Sequence, residues 1–178
     1  MIFKFEPYVL DVDLEATRAF YSTAPLASED CGCLGCRNYE SAMDALPKET
    51  VSFFSQLGIE MKKPRDAYVN MTNADESVLY GGWYHISGQL IEGGIAWEPT
   101  AQGWRLGEKE IYTVLKSFRI WFKKECTLLP DSLPPPAIEL EFTADIPWVL
   151  DEPNSYEFDM RKKNIFTRLR EKLPRYSK

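Results

Sequence analysis

The chain has 178 residues, of which 44% are hydrophobic and 13% aromatic, which is enough to bury the core of one globular domain and excludes a disordered chain. The formal net charge is −6, and no apolar run approaches the roughly 20 residues that a membrane helix needs. Because the apolar block of a signal peptide is also missing after Met1, we expect a soluble, cytoplasmic protein with reduced cysteines.

The first part of the sequence predicts mainly helices. Residues 2–10 suit a short strand or an extended arm, and an aspartate then caps a short helix over residues 14–21. A loop is expected over residues 23–30. A second helix is expected from a cap at Asn38 to about Leu46.

A further helix is predicted after Pro47, because proline fits the first turn of a helix. Its apolar residues recur at a spacing of three, and Gly58 is placed to end it. The recurring residues are Val51, Phe54 and Leu57.

The remainder of the sequence predicts strands. Alternation is clearest around residues 138–145, where apolar residues alternate with acidic or hydroxyl side chains, so we expect a half-buried strand with a solvated outer face. Residues 93–107 suit a turn-rich loop that carries Trp97 and Trp104. Further strands are expected over residues 67–71, 78–91 and 111–123.

We therefore expect an α+β domain over residues 1–160, with N-terminal helices packed on one face of a mostly antiparallel sheet. Eight of the 21 basic residues but only one of the 27 acidic residues lie from Arg161 onward. In this tail the apolar residues recur at a spacing of four, which predicts a basic amphipathic helix over residues 161–178. We expect this C-terminal helix to dock on the acidic body, and binding to a partner is the alternative. The acidic body is not typical of a nucleic-acid-binding domain.

Three of the four cysteines lie within six residues and form the most informative motif of the chain. Cys31, Cys33 and Cys36 are separated by Gly32 and Gly35, which permit the tight turns that bring successive sulfur atoms to one point. Thiolates in C-x-x-C spacing are typical zinc ligands. A tetrahedral site needs a fourth ligand, and the chain has a single histidine.

That histidine, His85, lies in a predicted strand. A zinc site built from Cys31, Cys33, Cys36 and His85 would tie the cysteine loop to the sheet. The alternative for His85 is a hydrogen-bonded histidine within the sheet.

Two alternatives to metal binding remain open for the cysteines: reduced thiols without a special role, and thiol redox chemistry. The redox hypothesis uses Cys33 and Cys36, because the dipole of the helix that follows and the charge of Arg37 can lower a thiol pKa. An iron–sulfur cluster would need Cys126 as its fourth ligand and is less consistent with the spacing.

The cysteine run also carries a resemblance. The motif C-x-C-x-x-C-R-N-Y at residues 31–39, with the neighbouring sequences at residues 11–17, 57–59 and 82–85, resembles a family of uncharacterised bacterial proteins. The similarity spans most of the chain. It implies a bacterial cytosolic protein with a common role for the cysteine loop, and it implies no activity and no catalytic residue.

Other candidate sites are less specific. The acidic face of the last strand can supply paired carboxylates for hydrolysis, but a solvated face explains these residues equally well. They are Glu139, Glu141 and Asp145. The two tryptophans of the turn-rich loop can stack on a sugar or peptide, or cover the end of the sheet. The leading hypothesis is a binding or interaction protein with a zinc-binding cysteine loop; the alternative is a thiol–disulfide redox enzyme.

Overall fold

The computed structural model describes residues 1–93, 97–115 and 117–156. The helices in these residues are α1 (Leu14–Thr23), α2 (Ala27–Cys31), α3 (Leu34–Ala42) and α4 (Lys48–Gln56). The strands are β1 (Ile2–Phe5), β2 (Tyr8–Val12), β3 (Asp66–Thr72), β4 (Val78–Glu92), β5 (Trp97–Thr100), β6 (Gly103–Leu106), β7 (Tyr112–Leu115), β8 (Phe118–Lys123) and β9 (Ala137–Ile146). None of the helices in the described residues is long and apolar enough to cross a membrane.

The main sheet has the order β1-β2-β4-β9-β8-β7, and β3 is a further partner of β4. The strand pairs are antiparallel, which confirms the predicted α+β class. β4 is the central element, because it pairs with β2, β3 and β9. β5 and β6 form a separate hairpin within the segment that was expected to be a loop.

The helices pack on one face of the main sheet through aromatic side chains. The ring of Tyr39 on α3 stacks on Phe142 of β9 with centroids 5.7 Å apart, and Phe54 on α4 meets Phe118 of β8 edge to face at 5.2 Å. Burying such rings contributes about 2–3 kcal/mol for each side chain. Tyr84 of β4 is fully buried in the same layer, where its hydroxyl contacts the hydroxyl of Tyr39 and donates to the carbonyl of Met61.

The helix boundaries differ from the expectation around the cysteines. α3 begins at Leu34 rather than at Asn38, because Cys33 occupies the capping position. The expected loop over residues 23–30 contains the short helix α2, whose first turn is held by a hydrogen bond from the Leu26 amide to the Glu29 carboxylate at 2.7 Å. Asn38 does not cap the helix as expected. It lies in the middle of α3, where its side chain bonds to the backbone of Pro147 and Val149.

Residues 147–156 follow β9 and cross back over α3 and β3, and we call this segment the strap. The amide of Val149 donates to Asn38 Oδ1 at 2.7 Å, and the hydroxyl of Thr72 on β3 donates to the carbonyl of Tyr156 at 3.0 Å. The predicted basic helix over residues 161–178 lies outside the described residues, so its docking stays a prediction.

Candidate metal-binding site

The turn between α2 and α3 brings the three cysteines together. Cys31 is the last residue of α2, Cys33 caps α3, and Cys36 lies in the first turn of α3. Gly32 between them has a φ of 66°, a left-handed conformation that a residue with a Cβ rarely adopts. The reversal at Gly32 therefore folds the end of one helix back towards the start of the next.

The three sulfur atoms converge on a single region. Their Sγ atoms all lie within 4.8 Å of one another, and no disulfide joins them. In a tetrahedral zinc site with Zn–S bonds of about 2.3 Å, the sulfur atoms are about 3.8 Å apart. Sulfur atoms that lie within 4.8 Å of one another are close to that spacing.

Exposure falls across the cluster. Cys31 is exposed, Cys33 is intermediate, and Cys36 is buried with 6% of its surface accessible. Among the described residues, the cluster therefore meets the surface at Cys31 and the core at Cys36.

Hydrogen bonds fix two of the thiols. The amide of Cys36 donates to Cys33 Sγ at 3.4 Å, and Cys36 Sγ donates to the carbonyl of Ala67 on β3 at 3.7 Å. The first bond is the capping interaction of α3, so the sulfur of Cys33 faces the positive end of the helix dipole. The second bond orients Cys36 towards the sheet.

The two thiols of the C-x-x-C spacing differ in acidity. Burial opposes ionisation of Cys33, but hydrogen bonds from the Cys36 amide and from the side chains of Cys31, Tyr156 and Cys36 outweigh it and lower its pKa to about 7. Burial raises the pKa of Cys36 well above its usual value, and the neighbouring Cys33 and Cys31 raise it further. Cys33 thus ionises before Cys36, whose thiolate needs a positive charge to compensate it.

Tyr156 at the end of the strap covers the cluster. Its hydrogen bond to Cys33 and its partial burial raise the pKa of the phenol, so the group stays a neutral donor. A Cβ atom on Gly35 would lie 3.1 Å from both the Tyr156 hydroxyl and Val69 Cγ2. The glycine therefore allows the strap and β3 to close over the first turn of α3.

His85 does not join the cysteines. On β4 the side chains of Tyr80 and Tyr84 point towards the helices, and His85 is one residue out of phase with them, so it points to the opposite face of the sheet. There the imidazole Nε2 lies 3.5 Å from the carboxylate of Glu139 on β9, and both side chains are fully buried. A fourth ligand from His85 is inconsistent with this placement, because the sheet separates it from the thiols.

Sequence reasoning missed the group of charges around His85, which we call the carboxylate network. Lys123 Nζ lies 2.8 Å from Glu139 and 2.8 Å from Glu141. The amide of Thr127 also donates to Glu139, and the indole of Trp121 donates to Glu141. The expectation of a solvated face is therefore wrong at Glu139, which is fully buried.

The carboxylate network keeps the side chain of Glu139 in its charged form. Burial opposes ionisation of Glu139, but hydrogen bonds from His85, Lys123 and Thr127 outweigh it and hold its pKa below the usual value. The available signal was the alternation of β8, which places Lys123 on the same face as the two glutamates of β9. A carboxylate that is saturated in this way is poorly suited to act as a base or nucleophile.

The remaining candidates lie apart from the cysteines. The indole of Trp97 donates to Glu141 at 3.3 Å and its ring meets Trp121 edge to face, so it helps cover the sheet, whereas Trp104 is 68% exposed. Cys126 is not part of the cluster, and burial together with the charge of Glu139 raises its pKa to about 11.

A groove of about 640 Å³ opens beside α1 and α4. Its lining includes apolar side chains together with charges of both signs, among them Met43, Ile59, Arg18 and Asp44. None of its lining residues belongs to the cysteine cluster. It therefore gives no support to a site that combines the thiols with a large ligand pocket.

No protein-family model, curated protein or solved structure matches this chain. The resemblance of the cysteine motif to a bacterial family therefore stays a prediction. What can be said of the site comes from its own geometry: three cysteines are positioned to bind a metal ion.

Proposed function

We propose that this protein is a cytoplasmic binding or interaction protein whose α2–α3 turn is fixed by a zinc ion held by Cys31, Cys33 and Cys36. The observation that carries the proposal is the convergence of three sulfur atoms within 4.8 Å. Three free thiols that meet at a helix start, with one of them in the core, match the ligands that zinc prefers.

The acidities of the thiols support a cationic ligand. The pKa of Cys36 is high because burial and the neighbouring sulfur atoms of Cys33 and Cys31 oppose a second negative charge. A divalent ion at the centre of the cluster reverses that effect, since it binds thiolates directly and releases their protons. Without an ion Cys36 therefore stays protonated, and with one it can bind as a thiolate.

A bound ion would stabilise the local structure of the α2–α3 turn. Cys31 belongs to α2, Cys33 and Cys36 belong to α3, and Cys36 contacts β3 through Ala67. An ion bound by all three would hold the two helices against the sheet edge and fix the surface of the turn. Such a fixed turn is suited to presenting the exposed residues around Cys31 to a partner.

The direct test is metal content. Protein purified without added metal is expected to contain one zinc per chain, and zinc-free protein is expected to bind Co²⁺ with the sulfur-to-cobalt absorption of thiolate coordination. Cys36→Ser should abolish both signals, and Cys126→Ser, which changes a cysteine outside the cluster, should retain them. Wild-type protein that binds neither ion would refute the proposal.

A second candidate function, thiol–disulfide exchange, is favoured by the difference between Cys33 and Cys36. The first has a pKa lowered to about 7 and lies at the N-terminus of α3, whereas the second is buried with a raised pKa. An attacking thiolate next to a buried resolving thiol is the arrangement used by C-x-x-C redox proteins.

This candidate is tested by equilibration in glutathione buffers followed by mass spectrometry of alkylated peptides. A reversible Cys33–Cys36 disulfide with a measurable potential supports it, and Cys31→Ser should retain that disulfide. A disulfide that forms equally between any two of the three cysteines would contradict a dedicated pair.

A further inference from the structure

We infer that the three-cysteine site also takes a trivalent thiophilic ion, As(III) or Sb(III), as a complete three-coordinate ligand. This inference rests on the proposed function, because it requires the three thiols to act together on one ion. It goes beyond that function by naming the class of ion for which the protein supplies every ligand.

The number of donors is the first argument. In the part of the chain that the structure describes, the only group of three or more possible metal ligands is Cys31, Cys33 and Cys36. His85 lies on the other face of the sheet, paired with Glu139. Among the described residues, a tetrahedral ion therefore has three ligands and one position left over, whereas an ion that forms a trigonal pyramid with three sulfur atoms has its full set.

The surroundings of the cluster suit an ion that has no fourth ligand. Tyr156 and Val69 close over Gly35 next to the thiols. The lone pair of As(III) needs no ligand, so a cover made by Tyr156 and Val69 suits it.

Charge balance is the third argument. Three thiolates with Zn²⁺ leave one negative charge in a site where Cys36 is buried. Three thiolates with a trivalent ion give a neutral complex. Because a partly buried charge is costly, the neutral complex fits this site better.

The reaction requires no oxidant or reductant. Arsenous acid, As(OH)₃, exchanges its three hydroxyl groups for three thiolates, so that three As–S bonds form and three As–O bonds break. The protons of the thiols leave with the hydroxyl groups as three molecules of water. Arsenic remains trivalent and sulfur remains at the thiolate level throughout.

The experiment is an anaerobic titration of the reduced, metal-free full-length protein with arsenite, followed by counting of the free thiols and intact-mass measurement. The chain has four cysteines. We expect one equivalent to protect three of them and leave Cys126 reactive, with a mass increase of one arsenic atom less three hydrogens. In zinc-loaded protein, arsenite should release the zinc into a chromophoric chelator.

Two variants set the controls. Cys126→Ser should bind arsenite unchanged and leave no reactive thiol after one equivalent. Cys31→Ser, which changes an exposed residue and leaves the buried Cys36 in place, should weaken binding by roughly 100-fold or more, because the third bond is an intramolecular one. Equal affinity of Cys31→Ser and wild type would overturn the inference, since it would show that only two sulfur atoms bind.

The outcomes separate the two proposals. Zinc binding without arsenite binding would overturn this inference and leave the proposed function standing. Binding of neither ion would overturn both. Arsenite binding by three thiols without zinc binding would support the inference and overturn zinc as the resident ion.

Discussion

The cysteine cluster and the carboxylate network lie on opposite faces of the same sheet, and they hold ionisable groups in opposite ways. In the network, Glu139 is fully buried and accepts hydrogen bonds from Lys123 and Thr127. In the cluster, the thiols of Cys31, Cys33 and Cys36 lie within 4.8 Å of one another, and one of them is exposed.

The difference indicates which face of the sheet is the better candidate for a binding site. Groups whose hydrogen-bonding capacity is filled by the protein stabilise it, and they gain little from a ligand. Thiols that converge on one point, with one of them exposed, can still bind a ligand together. A cluster of charges paired by the protein is therefore a weaker sign of a binding site than a convergent group of thiols.

The largest effect is expected when the network is broken. In Lys123→Met, the buried Glu139 loses the ammonium that lies 2.8 Å away, and we expect the free energy of unfolding to fall by about 3–5 kcal/mol. Urea denaturation measures this loss, and zinc binding by the folded fraction should be unchanged. A loss below about 1 kcal/mol would show that the network is not structural.

Metal binding should change stability by a somewhat smaller amount. At a free zinc concentration 100 times the Kd, we expect the metal to raise the free energy of unfolding by about 2.7 kcal/mol. Thermal unfolding with and without a chelator measures it. Cys36→Ser should remove the increment and Cys126→Ser should keep it; the same increment in both variants would place the ion elsewhere.

The pH dependence of alkylation should separate Cys33, in the cluster, from Cys126, outside it. Because its pKa is lowered to about 7, we expect the rate of alkylation by iodoacetamide in metal-free protein to rise with a midpoint near pH 7, well before Cys126 reacts. The folded pKa lies below the usual 9.0, so the associated stabilisation is complete above pH 9 and is lost as the pH falls through 7.

Peptide mapping of the alkylated protein gives the midpoint for each cysteine. Tyr156→Phe removes one hydrogen bond to Cys33 and should move its midpoint to higher pH without changing that of Cys126. A midpoint for Cys33 near 9 in the wild type would contradict the described surroundings of the thiol.

The smallest effect is expected at the surface of the strap. Arg37 and Glu152 form an ion pair of 2.8 Å, and their side chains are 45% and 43% exposed. Because solvent screens such pairs, Arg37→Ala should lower the free energy of unfolding by less than about 1 kcal/mol in the same urea assay. A larger loss would indicate that the strap depends on this pair more than on its bonds to Asn38.

The sequence was sufficient where the determining contacts are local. An aspartate caps α1 as expected: Oδ1 of Asp13 accepts from the Ala16 amide at 3.0 Å. The alternation around residues 138–145 matches β9. The convergence of the cysteines was also predictable, because their spacing and Gly32 lie within six residues. In each case the interacting groups are neighbours along the chain.

The sequence was insufficient where distant segments decide the outcome. Alternation shows that Glu139 faces away from Leu140, but it does not show that Thr127 and Lys123 cover that face. His85 is a candidate metal ligand from the sequence because it is the only histidine of the chain. It follows Tyr84 directly in the strand, however, so its side chain points to the face of the sheet opposite the cysteines. The contact of Tyr156 with the cluster links residues more than 100 positions apart and has no local signal.

The compactness of the α2–α3 turn has a consequence for biosynthesis. The three cysteines of the cluster are contained in a stretch that emerges from the ribosome before β3, β4, β8 and β9 have been made, whereas the sheet needs pairings between segments far apart in the chain. A nascent polypeptide therefore displays these three thiols, still uncovered by Tyr156, while most of the scaffold that will later surround them does not yet exist. Capture of an ion at that moment would be co-translational, and would precede the closing of the fold around it.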